Sequence, residues 1–317
     1  METIGLGLVW ALDLGLNFSA HVAALLLVVA LVQVFRGRVV GALAAGLPAA
    51  GLLAWVIVSH AQTLALPEAA GGGGTPLRVL SFNILVFNED HAEKMTFIRE
   101  RKADVVLLQE TNPRWWGQFQ DLRGLYPHMR RAGPIGVLVF SKYPLGDIQG
   151  TILQPWPETL PRPSYLKHDE GIIRALVVPV TLPGGPGGPA GPRTATVISF
   201  HATRSLSPQG FAARARDLER LAGFVAAAPG PVIVGGDFNA TPMAPAFRQF
   251  LAQTGLKGLA SRPWHPLGTW PNALPAAAGF QIDHLLAKGP LAVRDHGVIA
   301  DASSNHRAVW ADFVIEP

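Results

Sequence analysis

The chain contains no cysteine. Disulfides, thiolate metal centres and a cysteine nucleophile are therefore excluded, and redox chemistry selects no compartment. Charge is nearly absent from one part of the chain. Residues 1–76 carry only Arg36 and Arg38 against Glu2, Asp13 and Glu68. Beyond Pro76 lie 24 of the 26 Lys/Arg and 19 of the 22 Asp/Glu, a net of +5 there. That excess suits anionic ligands but is too small to indicate nucleic acid by itself. The N-terminus also lacks the basic stretch of a cleaved signal peptide, and a second apolar run follows the first.

What the first residues do contain is hydrocarbon. Ser19 to Phe35 is mostly apolar and unbroken from Val22 to Val32; Arg36-Gly37-Arg38 follows, and Val39 to Val58 is again uncharged. Each run approaches the roughly 20 residues that cross a bilayer core. Together they predict a transmembrane helical hairpin with a basic turn, meeting the bilayer through residues 19–58. Thr3 to Asn17 is apolar but carries Asp13. It reads as a third span or, the favoured reading, as an amphipathic piece at the membrane surface. Spans without an ionised residue offer no transport pathway. If the arginines stay in the cytoplasm, everything after Pro67 faces the extracytoplasmic side of the cell membrane. The predicted organisation is an anchor over 1–67, a Gly-rich flexible linker over 68–76 and a soluble domain over 77–317.

Within that domain, Val232-Ile233-Val234-Gly235-Gly236-Asp237-Phe238-Asn239 draws attention first. It predicts a buried strand that stops at two glycines, which allow a turn or close approach to a ligand. Residues two apart on a strand share a face, so Asp237 and Asn239 can reach one point while Phe238 turns into the core. A local Asx turn is the bland alternative. The same strand-then-polar pattern recurs. Strands ending near Asn83, Glu110 and His201 are joined by one carrying Asp283, and His306 precedes the last. Helices are expected over 90–102, after the Ser207-Pro208 cap, and over 245–254. The glycine- and proline-rich run 184–192 reads as a loop without chemistry. Helices alternate with strands early and strand pairs dominate late, which predicts a layered α/β sandwich. Its strand ends gather at one edge, so these polar residues can converge. Singly, each has a structural explanation: a cap, a surface acid, a satisfied histidine, a salt bridge. Trp115 and Trp116 read more readily as core than as a platform for bases.

Ser81-Phe82-Asn83, Leu108-Gln109-Glu110, Ser199-Phe200-His201, Gly236-Asp237-Phe238-Asn239, Ile282-Asp283-His284 and Ser304-Asn305-His306 resemble the successive motifs of the endonuclease/exonuclease/phosphatase superfamily, over about residues 77–316. Thr269-Trp270-Pro271 is similar to bacterial membrane-anchored members. The resemblance implies a four-layered α/β/β/α sandwich of the deoxyribonuclease I-like kind and Mg²⁺-dependent cleavage of a phosphate ester, with Mn²⁺ as the alternative ion. It implies Glu110 as principal metal ligand with Asn83 beside it, and Asp237 orienting or deprotonating the attacking water. It implies His201 and Asn239 on phosphate oxygens, and Asp283 orienting His306 as acid/base or phosphoryl clamp. Asn305 departs from the pattern. Many members have Asp there, so a second acidic metal site is disfavoured. Arg174 could touch phosphate or form a surface salt bridge. The expected substrate is a phosphodiester or phosphomonoester: nucleic acid first, a phospholipid or sugar phosphate next. A non-catalytic module that keeps the fold is the rival class.

Overall fold

In the computed structural model, residues 2–63, 66–69, 74–156, 164, 166–167, 170–184, 191–259, 267–300 and 303–316 are described. Most of the predicted 184–192 loop and residues 70–73 of the linker lie outside them. Glu68 bridges to Val293, and the Ala69 N–H donates to the Val293 carbonyl, so this part of the linker runs beside a strand.

Three helices come first: α1 (Glu2–Asn17), α2 (Ser19–Phe35) and α3 (Val39–Thr63). α2 and α3 pack side by side, with Gly41 against Gln33 and Gly46 facing Ala30. Among the described residues one helix, over Val39–Ala61, is long and apolar enough to cross a membrane. The run expected to span alone as Ser19–Phe35 meets that test only together with α1, from which it is bent by 65°. α1 packs against the α/β part of the chain, as described below.

The strands are β1 (Thr75–Asn83), β2 (Val105–Thr111), β3 (His128–Arg131), β4 (Ile135–Ser141), β5 (Gly150–Pro155), β6 (Gly171–Leu182), β7 (Arg193–His201), β8 (Val232–Asp237), β9 (Lys257–Gly258), β10 (Asp283–Lys288), β11 (Leu291–Ile299) and β12 (Ala308–Ile315). They form one curled sheet ordered β11-β12-β1-β2-β4-β6-β7-β8-β10-β9, with β3 on β4 and β5 on β6. β4 and β6 touch for only two residue pairs, Ile135–Ile172 and Gly136–Ile173. That thin seam lets the two halves fold face to face. The short edge strands β3, β5 and β9 carry weak hydrophobic signals and were not expected from the sequence.

Alternation decides what fills the layers. Leu77, Val79, Val105 and Leu107 point between the halves and pack with Val178, Ile233 and Phe313. Leu80, Phe82, Val106 and Leu108 point outward onto Met95 and Ile98 of α4 (His91–Glu100) and onto Trp115 and Phe119 of two 3₁₀ turns. On the other flank, Ile198, Phe200, Val232 and Val234 face α5 (Pro208–Ala227) and α6 (Pro245–Thr254). The result is an α/β/β/α sandwich. It explains why these strands read as continuous apolar runs: both faces are buried.

The Gly235-Gly236 pair does not stop its strand, which continues to Asp237. A Cβ on Gly235 would lie 2.5 Å from Leu107 Cδ1 and 2.8 Å from Leu285 Cδ2, and one on Gly236 would lie 1.7 Å from the Phe200 carbonyl oxygen. The glycines serve close packing of backbone and sheets, not a turn.

Candidate active site

Asn83, His201 and Asp237 end β1, β7 and β8, Glu110 lies one residue before the end of β2, and Asp283 opens β10; β1 neighbours β2, and β8 lies between β7 and β10. Folding the sheet in half brings these ends together. Asn83 Nδ2 donates to Glu110 Oε1 and to Asp237 Oδ2, each at 3.1 Å. His201 Nε2 faces the same two oxygens at 3.9 and 3.7 Å. His306 Nδ1 lies 2.8 Å from Asp283 Oδ2, and its Nε2 lies 3.9 Å from Asp237 Oδ2. Residues 223 positions apart thus share one buried cluster.

Local backbone aims these groups. Register between β2 and β4 slips between Leu108 and Thr111, and Glu110 takes φ 62°. A left-handed non-glycine residue at a bulge is costly and here turns the carboxylate inward. Asn239 takes φ 48°, which asparagine tolerates. Its N–H caps Asp237 Oδ1 at 2.8 Å, and its Nδ2 donates to the Ala202 carbonyl at 2.9 Å. Phe238 is buried against Phe200 and Phe247. Ser304 Oγ donates to the Asn83 carbonyl and accepts from the His306 N–H, tying the last loop to β1. Thr269 Oγ1 accepts from the Ile282 and Asp283 N–H groups. Asn305 is exposed beside the cleft.

Electrostatics separate the members. Burial and the Arg174 guanidinium hold His201 down to about 4, so it is neutral at pH 7. Arg174 Nη1 lies 3.5 Å from His201 Nδ1, which leaves the ring proton on Nε2, toward the carboxylates. Arg174 is therefore no surface salt-bridge partner; it backs the histidine. Burial alone would lower His306, but the charges of Asp283, Asp237 and Glu110 raise it to about 9. Burial pushes the Asp237 carboxyl up, and the Asp283 charge adds to that. Burial also pushes Glu110 up, but His201 when charged, the Val86 N–H, Asn83 and Arg204 outweigh it and hold Glu110 low.

The donor set fits a divalent cation. Asp237, Asp283 and His306 offer ligand atoms within 4.8 Å of one another, and Asp283 Oδ1 is buried without a hydrogen-bond partner. A cation would reverse the strain that keeps Asp237 high. Asn83 differs from the expected ligand role. Its Oδ1 accepts from the Leu85 N–H at 3.1 Å, so it presents its NH₂ to the carboxylates. Half a turn of the amide would bring oxygen to that place at the loss of the Leu85 bond.

Sequence reasoning missed Arg204, whose Nη2 lies 3.2 Å from Glu110 Oε1. Its signal was position, three residues beyond His201 on a strand-end loop. It also missed Arg214 on α5. Its Nη1 donates to the Asn239 carbonyl at 2.6 Å and its Nη2 pairs with Asp13 of α1, both side chains being buried. Asn17 Oδ1 accepts from the Thr241 N–H at 2.7 Å. Asp13, an acid inside an apolar run, was the available clue.

Solved structures share this fold at low identity. One is an endonuclease/exonuclease/phosphatase from Beutenbergia cavernae, 19% identical, covering 76% of this chain and 72% of that one, TM-score 0.53. Another, from Bacteroides vulgatus, is 18% identical over 76% and 100%, TM-score 0.51. The human Nocturnin catalytic domain is 20% identical over 75% and 94%, TM-score 0.51. No curated protein matches. The model of the endonuclease/exonuclease/phosphatase family matches residues 80–306, from the strand that carries Asn83 through His306. With most of its length so matched, the chain belongs to the endonuclease/exonuclease/phosphatase family.

Proposed function

We propose that the protein is a membrane-anchored, divalent-metal-dependent phosphodiesterase. The observation that carries this reading is the convergence of three carboxylates and an Asp–His pair on one cleft. Glu110, Asp237 and Asp283 are buried together there with His306. Mg²⁺, which prefers oxygen ligands, would be held by Glu110 with Asp237 or Asp283 and would supply Lewis-acid charge at phosphate oxygens.

The chain's own groups do the rest. Asp237 orients water and takes its proton as the water oxygen bonds to phosphorus. The bond from phosphorus to the leaving oxygen breaks. His306, an imidazolium at pH 7, donates its Nε2 proton to that oxygen, and Asp283 keeps the ring aimed. His201 Nε2–H and Asn239 line the place where oxyanion charge develops, and Arg204 offers a further cation.

α3, by its length and composition, is the proposed anchor, with α2 beside it and Arg36 and Arg38 on the cytoplasmic side. The sandwich then works on the extracytoplasmic face.

The test is hydrolysis of bis(p-nitrophenyl) phosphate by the full chain in detergent, with Mg²⁺ and with chelator. Activity should need metal and fall at least about 10²-fold in Glu110→Gln and in His306→Ala. Full activity in both variants would overturn the mechanism, and no activity in the wild type would favour a binding module.

A further inference from the structure

The cleft beside His306 and Asn239 has a volume of about 220 Å³, and its composition is lopsided. One end is the polar cluster with Arg204. The remainder is walled by Leu14, Phe18, Leu206, Trp270, Phe280 and Ile282, together with Asn17, Ser205 and Thr241. Three of these, Leu14, Asn17 and Phe18, come from the elbow between α1 and α2, outside the family-matched segment.

That wall is fastened down. Asp13 pairs with Arg214, Asn17 accepts from Thr241, and Trp10 Nε1 donates to the Ser205 carbonyl at 2.8 Å. Phe18 meets Phe280 edge-on at 5.1 Å, and His21 stacks on the same ring at 4.3 Å. Large apolar side chains stand open at the rim: Leu206 is 77% exposed, Phe18 44% and Trp270 37%. Leu8, Leu12, Val22 and Leu25 on α1 and α2 are exposed as well. Exposed apolar side chains on a cleft rim and on the two apolar helices that meet beside it mark a contact with hydrocarbon. A nucleic-acid track would instead want repeated cations; Arg204 is the one basic residue other than His306 among the described residues lining the cleft.

We propose that the α1–α2 elbow completes a hydrocarbon subsite, and that the substrate is a membrane phospholipid whose phosphate sits at His306 while its apolar portion lies against Leu14, Phe18, Leu206 and Trp270. This rests on the phosphoesterase reading above. The anchor is then a wall of the substrate site as well as a tether, and a fragment beginning at residue 77 lacks that wall.

The experiment is calorimetric binding of n-alkyl phosphates, ethyl to hexyl, to the full chain in nanodiscs with Mg²⁺. Empty nanodiscs correct for partitioning. Each buried methylene should tighten Kd about three- to fourfold. Phe18→Ser and Leu206→Ser should each flatten the gradient to below about twofold per methylene. Leu206 is exposed on a loop, so that variant tests the subsite even if Phe18→Ser fails to fold. A parallel assay compares phosphatidylglycerol vesicles with a single-stranded oligonucleotide, and the lipid should be the better substrate. Ethyl phosphate bound without any gradient, a gradient that survives both substitutions, or faster cleavage of the oligonucleotide overturns the subsite alone. Failure of every alkyl phosphate to bind, with no hydrolysis of bis(p-nitrophenyl) phosphate, overturns the phosphoesterase reading and the subsite with it.

Discussion

Asp13 on the first helix and Arg214 on α5 form an ion pair with both side chains out of solvent. The same guanidinium holds the carbonyl of Asn239, so an apolar N-terminal helix is coupled to the loop that caps Asp237. Burying two charges is repaid only when partner and hydrogen bonds are all present.

Removing one partner should therefore be severe. Asp13→Ala leaves Arg214 buried and uncompensated, and should destabilise the protein by about 3–5 kcal/mol. The double change Asp13→Leu/Arg214→Met should cost clearly less, because no charge is stranded. Urea titrations of all three proteins in the same detergent measure this. A loss below about 0.5 kcal/mol for Asp13→Ala, the size expected of a surface change, would mean that the pair does not fasten α1.

Gly236→Ala places a methyl within bonding distance of the Phe200 carbonyl oxygen. Backbone must move, at the strand residue just before Asp237. We expect a loss of more than about 3 kcal/mol or no soluble product, against roughly 1–3 kcal/mol for Gly235→Ala, whose neighbours are side chains that can shift. Thermal melts rank the two, and equal melting temperatures would contradict this account.

His306 sets one limb of the pH–stability curve in the metal-free protein, and His201 and His284, both held down to about 4, set the other. His306 is raised to about 9. Its contribution is complete below the unfolded value near 6.5 and is lost as pH rises through about 9. His284 is held down to about 4 by burial, with Phe247 stacked on it and the Ala240 carbonyl 2.9 Å away. Its contribution is complete above about 6.5 and is lost as pH falls toward 4. Each shift corresponds to at most roughly 3–4 kcal/mol. Chelator-treated protein should be most stable near pH 6.5, and His306→Gln should flatten the alkaline limb while His284→Phe makes the acid limb shallower, leaving the part that belongs to His201. Imidazole NMR titration gives the two values directly. Ordinary values near 6.5 for both would remove the prediction.

Metal should stabilise the folded state. Cation that binds only the native cluster adds about 2.7 kcal/mol at a hundredfold excess over Kd. Mg²⁺ or Mn²⁺ should raise the melting temperature of the wild type, and Glu110→Gln or Asp237→Asn should abolish the rise. An equal rise in all three proteins would move the ion elsewhere.

The sequence by itself determined the central strands, because runs such as Val105–Leu108 and Val232–Val234 can be stable only with both faces covered. It also determined the residue types at the strand ends, since Asn83, Glu110, His201, Asp237 and Asp283 each follow or open an apolar run. Helix caps are local, and Ser207 does accept from the Gly210 N–H as its spacing implied. Distances between those strand ends could not be read, because they depend on how the sheet folds at the β4–β6 seam. The glycines at 235 and 236 were legible as special but not as packing residues, because the clash that forbids a side chain comes from strands elsewhere in the chain. Arg204, Arg214 and the site-facing roles of Asp13 and Asn17 were decided by tertiary structure alone. The pairs Arg204–Glu110, Arg214–Asp13 and Asn17–Thr241 are between 94 and 224 positions apart, and a charge becomes informative only when the groups that surround it are known.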